Sequence, residues 1–120
     1  MADTQAPVEI TTSPAGITRV AFTVSQVLEE VVIARFGEAV GGVVAATANP
    51  RMIITFKGVD HLSSTALSEL IKIRSRIMAK GGQLRLSDIQ PQILEVFRIT
   101  RLDSMFQIHA TEDAATKSIR

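Results

Sequence analysis

A chain of 120 residues with 46% hydrophobic and 21% charged side chains has the size and make-up of one globular domain, not of a disordered segment. Its net charge of +1 argues against a strongly electrostatic partner such as duplex nucleic acid. With no cysteine, disulfides, thiolate metal sites and cysteine nucleophiles are excluded.

Residues 1–7 read as a flexible leader, with the domain proper over 8–120. The start lacks the basic flank and apolar stretch of a signal peptide. Val8–Thr12 alternates weakly and reads as an edge strand; Pro14-Ala15-Gly16 signals a turn. In Ile17–Thr23, Ile17, Arg19 and Ala21 face one way and Thr18, Val20 and Phe22 the other. Those two segments are expected to pair as a hairpin. A helical pattern follows from about Glu30 to Thr47, with Val32, Phe36, Ala39, Val40 and Val43 on one face. Gly37, Gly41 and Gly42 weaken it and point to close approach to a sheet. Asn49-Pro50 ends it. The longest uncharged stretch of small residues, Ala39–Ala48, falls short of the roughly 18 to 20 apolar residues a membrane-spanning helix needs. The protein is therefore expected to be soluble and cytoplasmic, with no membrane insertion.

Met52–Phe56 has the length of a strand buried on both faces. Gly58–Asp60 leads into a loop, Asp60-His61-Leu62, and then into a helix from about Ser64 to Lys80. Leu67, Leu70, Ile71, Ile77 and Met78 form its inner face. Gly81-Gly82 stops that helix. Gln83–Ser87 is a strand, and strand, helix, strand with short joins predicts a βαβ unit. Pro91 opens a third helix bearing Ile93, Leu94, Val96 and Phe97. Met105–His109 reads as a last strand. Thr111, with Glu112 and Asp113 behind it, caps a last short helix running to Ile119. The predicted class is α/β: one mixed β-sheet packed with about four α-helices.

The chemistry concentrates at Ser63-Ser64-Thr65, where a strand gives way to a helix. Hydroxyls there cap a helix, and the free first-turn amides also welcome a phosphate. From the residues alone, each of the three is a cap, a phosphoacceptor, or both in turn. Asp60 and His61 stand near Ser63, but neighbours on a tight loop seldom reach triad geometry, so no hydrolase is expected. His61 and His109 would ligate a metal only if the fold brought them together with other ligands, and with no cysteine they read as surface or loop histidines. Arg74, Arg76, Lys80, Arg98 and Arg101 read as a solvated face, because aromatic residues make up only 4% and stacking platforms are lacking. Gly81-Gly82 lacks the Lys-Ser/Thr continuation of a P-loop. No cofactor is expected.

With these residues in place, the chain resembles a STAS domain, the family of bacterial anti-sigma factor antagonists. The resemblance rests on Ser63-Ser64-Thr65-Ala66-Leu67, on Gly81-Gly82 and Leu84-Arg85-Leu86, and on Val96–Leu102 with Met105-Phe106. It runs from about Arg51 to Ile108 and is looser upstream, where Val27-Leu28-Glu29 sits near a Glu-Leu-Asp of the family. Ser63 stands where the family has aspartate, and Ala66 where it has glycine. The resemblance implies a phosphoacceptor at Ser64, with Thr65 as second candidate. It also implies a partner that is an anti-sigma factor or a serine/threonine kinase of the switch-protein type, released on phosphorylation. The implied partner surface comprises Glu29, Asp60, His61, Ser63, Ser64 and Thr65, with Ser68, Glu69 and Lys72 as exposed helix positions. A second reading keeps the fold without the switch: a scaffold or assembly subunit of a stressosome-type or transport complex, in which a homo-oligomer is expected. A small-ligand or nucleotide module has no visible motif to support it, and an enzyme is not expected.

Overall fold

In the computed structural model, which describes residues 7–120, β1 (Val8–Thr12) and β2 (Ile17–Phe22) form the expected antiparallel hairpin, Val8 opposite Phe22 and Thr12 opposite Thr18. Side chains along β2 alternate as their period dictates: Thr18, Val20 and Phe22 are buried and their neighbours half-buried. Residues 1–6 of the expected leader lie outside the described residues. Pro7 is buried, and its carbonyl accepts a hydrogen bond from the Thr23 amide at 2.8 Å.

Next comes β3 (Gln26–Val27), then α1 (Glu30–Ala46), β4 (Arg51–Thr55), β5 (His61–Leu62), α2 (Ser64–Ala79), β6 (Gln83–Ser87), α3 (Pro91–Ile99), a 3-10 turn (Leu102–Ser104), β7 (Gln107–His109) and α4 (Glu112–Ser118). The main sheet has the order β1-β2-β4-β6-β7, and only the β1–β2 pair is antiparallel. β4 occupies its centre and is buried on both faces, as an unbroken apolar run requires. The expected loop Asp60-His61-Leu62 is a loop only at Asp60. His61 and Leu62 pair in parallel with Gln26 and Val27. Strands this short carry no readable periodicity, which is why the sequence did not reveal them.

α1, α2 and α3 cover one face of the sheet, and their inner residues share a single core with Val20, Met52, Ile54 and Leu86. Phe22 links the layers, its ring 4.9 Å from that of Phe36 and 5.3 Å from that of Phe56. Phe97 of α3 meets Phe106 edge-on at 6.0 Å. α4 packs on the opposite face, where Ala115 and Ile53 are buried.

Each helix is turned slightly from its expected face. α1 buries Ile33, Phe36, Val40 and Val44, leaving Val32, Ala39 and Val43 half-buried. α2 buries Ile73, while Met78 is 52% exposed. α3 buries only Ile93 and Phe97, with Leu94 and Val96 exposed. In all three, the apolar stripe is wider than the surface it meets, so docking selects which part is covered.

Two of the three glycines of α1, Gly37 and Gly41, serve the neighbouring helix, not the sheet as expected, and Gly42 faces open space. The Glu69 carboxylate of α2 occupies the space a side chain at Gly37 would fill, and Arg76 lies over Gly41. α2 ends in a Schellman arrangement: the Gly82 amide donates to the Ile77 carbonyl at 2.9 Å and Gly81 to Met78 at 3.0 Å, with Gly81 at φ +70°. Lys80 does not lie on an open face. Its Nζ donates to the Val44 and Ala45 carbonyls at 2.9 Å each, closing the C-terminal end of α1.

Candidate functional site

The small β3–β5 sheet brings two helix starts together. β3 leads through Leu28-Glu29 into α1, and β5 leads through Ser63 into α2. The Asp60 amide donates to the Ser25 carbonyl at 2.8 Å before the paired residues, and Ser63 donates to Val27 at 3.1 Å after them. This register brings the ends of β3 and β5, Val27 and Leu62, level with each other. Two positive helix ends therefore open beside each other.

At the start of α2 the hydroxyl residues divide. Ser63 is the N-cap: extended at ψ 165°, its Oγ accepts from the Ala66 amide at 3.2 Å and its carbonyl from Leu67 at 3.1 Å. Ser64 and Thr65 are exposed. Their amides, in the first two helical positions, have no partner among the described residues. Ala66 is 1% exposed, so this position favours a small residue. Replacing Ser63 with alanine should cost about 1 kcal/mol, the usual worth of an N-cap. A urea midpoint equal to the parent's would show that the cap contributes nothing.

The other expected surface residues separate into two groups. Asp60 Oδ1 lies 2.7 Å from His61 Nδ1, and both side chains are open, 44% and 57% exposed. Among the described residues the His61 imidazole has this carboxylate, and no serine hydroxyl, as its hydrogen-bond partner, while its backbone amide donates to the Ser25 carbonyl at 3.3 Å. Glu29, Ser68 and Lys72 are exposed. Glu69 is half-buried, folded back over Gly37, and faces α1 instead of solvent.

Two residues that the sequence reading did not single out join this surface. Leu28 is 44% and Val31 54% exposed, large apolar side chains flanking Glu29 and Glu30 at the start of α1. Their signal was present as apolar residues outside the helical stripe. The exposed residues at the start of α1 are thus apolar and acidic: Leu28, Val31, Glu29 and Glu30. No group of three or more His, Asp or Glu able to hold a metal occurs among the described residues, and none of their helices is long and apolar enough to cross a membrane.

A family model described as STAS domain matches residues 10–115. BtrV of Bordetella bronchiseptica, provisionally named an anti-sigma factor antagonist, is 24% identical over 70 residues, 58% of this chain and 60% of that protein. The match therefore spans about three fifths of the length of that curated relative. Among solved structures, an anti-sigma-factor antagonist (STAS) domain protein from Planctomyces limnophilus is similar with a TM-score of 0.84, at 21% identity, covering 97% of this chain and 99% of the other. The Bacillus cell fate determinant SpoIIAA in its phosphorylated form is similar with a TM-score of 0.70, at 15% identity, covering 94% and 99%. These structural likenesses are likenesses of fold.

Proposed function

Because the chain belongs to the STAS domain family, we propose that it is a regulatory protein-binding module of the anti-sigma factor antagonist type, switched by a phosphate on Ser64, with Thr65 as second acceptor. It works by binding, not by catalysis. Its partner is an anti-sigma factor or a serine/threonine kinase of the switch-protein type, docked on the surface formed by the starts of α1 and α2.

The observation that carries this reading is the division among the three hydroxyls. Ser63 caps the helix, which leaves Ser64 and Thr65 exposed and free of that duty. The family's aspartate at the Ser63 position is replaced without loss of the cap, since a hydroxyl oxygen and a carboxylate oxygen both accept the third amide. A phosphate on Ser64 would bring about −1.5 to −2 charges and three acceptor oxygens. The free amides of Ser64 and Thr65 can receive it with little rearrangement. What changes is the surface: a neutral alcohol among Glu29, Glu30 and Asp60 becomes a strong anion, and a partner carboxylate seated there is expelled.

The test is mass spectrometry of the protein recovered from its own cells together with whatever it brings down. A phosphate on the peptide carrying Ser64 and Thr65, present in the unbound pool and absent from the bound one, supports the switch. Phosphate in both pools alike, or in neither, overturns it. A ring or filament with no phosphate would point to the assembly reading.

A further inference from the structure

Arg85 lies in β6 on the sheet face covered by α4 and is only 9% exposed. Its partners are all neutral. Nε donates to Ser118 Oγ at 2.8 Å, Nη1 to the Leu84 carbonyl at 3.1 Å, and Nη2 to Gln83 Oε1 and the Ser118 carbonyl at 3.3 Å each. No carboxylate pairs with it among the described residues. A charge withdrawn from water is strongly disfavoured unless an opposite charge replaces the lost solvent. The C-terminal end of α4, through the Ser118 carbonyl, offers a partial negative charge, which accounts for one guanidinium at most.

Two more arginines converge on the same place. A cavity of about 580 Å³ opens between the end of α2, the edge of β6, β7 and the end of α4, and Arg74, Arg85 and Arg120 all line it. Gln83, Gln107 and Ser118 contribute the remaining polar groups, and no acidic side chain lines it. Arg74 uses only Nε, donating to the Met105 carbonyl at 2.9 Å. The Arg120 guanidinium makes no hydrogen bond among the described residues; the residue is tied to Gln83 by its backbone amide and carbonyl instead. Burial holds the Arg85 guanidinium below its ordinary pKa, and the like charge of Arg120 pushes it the same way.

We propose that this cavity is a binding site for a small, multiply charged oxyanion of the phosphate or polycarboxylate class, held by Arg74, Arg85 and Arg120. Guanidinium forks match the planar pairs of oxygens such ligands present. The free terminal nitrogens of Arg74 and Arg120 grip from the open side, while Arg85, braced by Ser118 and Gln83, forms the floor. The site lies toward the opposite end of α2 from Ser64, so it is independent of the proposed switch.

The experiment is a titration of the full chain with pyrophosphate and, separately, citrate at constant ionic strength, followed by backbone amide NMR. Saturable shifts are expected at Leu84, Arg85, Gln107 and Ser118 with at least one of the probes. The tighter probe assigns the ligand to the phosphate or the carboxylate class. Arg120→Gln, an exposed change, should weaken binding roughly tenfold or more, the worth of one charge-assisted hydrogen bond. Arg74→Gln, at a half-buried residue, should act likewise, and Arg85→Met should abolish binding; if Arg85→Met fails to fold, the Arg74→Gln and Arg120→Gln variants carry the test. Absence of saturable shifts, shifts confined to Ser64–Leu67, or affinity unchanged in both Arg74→Gln and Arg120→Gln would overturn the proposal.

Discussion

Gly82→Ala is expected to destabilise the fold by about 2–3 kcal/mol, the cost of forcing a methyl where no space exists. The new Cβ would collide with the Pro50 carbonyl oxygen and come within 2.9 Å of Ile77 Cγ2 and 3.0 Å of Pro50 Cδ. The Pro50 oxygen is backbone and cannot rotate away. It also accepts the Gln83 amide at 2.8 Å, the bond that begins the pairing of β4 with β6. Relief of the clash therefore has to move the start of the two central strands. For a domain of this size the loss corresponds to a drop in Tm of roughly 10 °C. Gly42→Ala is the control. Nothing lies within 4 Å of its would-be Cβ, and the residue sits exposed in α1. There alanine should stabilise by up to about 1 kcal/mol through helix propensity alone. Calorimetry on the two variants should give shifts of opposite sign. If Gly82→Ala melts at the parent temperature, the tight α2–β4 contact is not a constraint on the fold.

The second large effect is on binding. Ser64→Asp is expected to weaken partner affinity about tenfold or more, equivalent to roughly 1.4 kcal/mol. Stability should move the other way. An aspartate in the first helical position faces the positive end of α2 and should add about 0.3–1 kcal/mol. A structural lesion would lower both quantities, so the opposed signs identify a surface effect. The acidic setting of Glu29, Glu30 and Asp60 sharpens the contrast, because the added charge concentrates an existing negative field. Partner affinity measured by calorimetry and stability measured by urea unfolding decide the point. Affinity within twofold of the parent would sink the switch, whatever the stability does.

Most of the regular elements could be read from neighbours a few residues apart. The alternation in Ile17–Phe22, the apolar run at Met52–Phe56 and the cap at Thr111, whose Oγ1 accepts the Ala114 amide at 3.1 Å, each depend on local spacing. The helix C-terminus at Gly81-Gly82 is of the same kind. Helix faces were less legible. Ile99 carries the hydrophobicity of a core residue yet is 72% exposed, because α3 meets the sheet over a narrower strip than its composition allows. Arg85 was read only as part of a strand motif and nothing in its surroundings marked it for burial. Its position follows from α4, which returns across the sheet later in the chain, Ser118 closing on it at a separation of 33.

The candidate site shows the same boundary. That a hydroxyl run opens a helix was visible in Ser63-Ser64-Thr65, and so was the likeness to the family whose model spans residues 10–115. Which hydroxyl caps and which stay exposed is a matter of backbone angles at one residue. The neighbouring starts of α1 and α2 come from β3 and β5, two-residue strands whose pairing has no local code. The chain by itself determined the order of elements, the hairpin and the turns, because those obey forces acting over one or two helical turns. Tertiary structure alone decided which stripe of each helix is covered, that Arg85 lies under α4, and that the starts of α1 and α2 share a surface. The physical reason is that burial is a property of the facing segment, and the facing segment is remote in sequence.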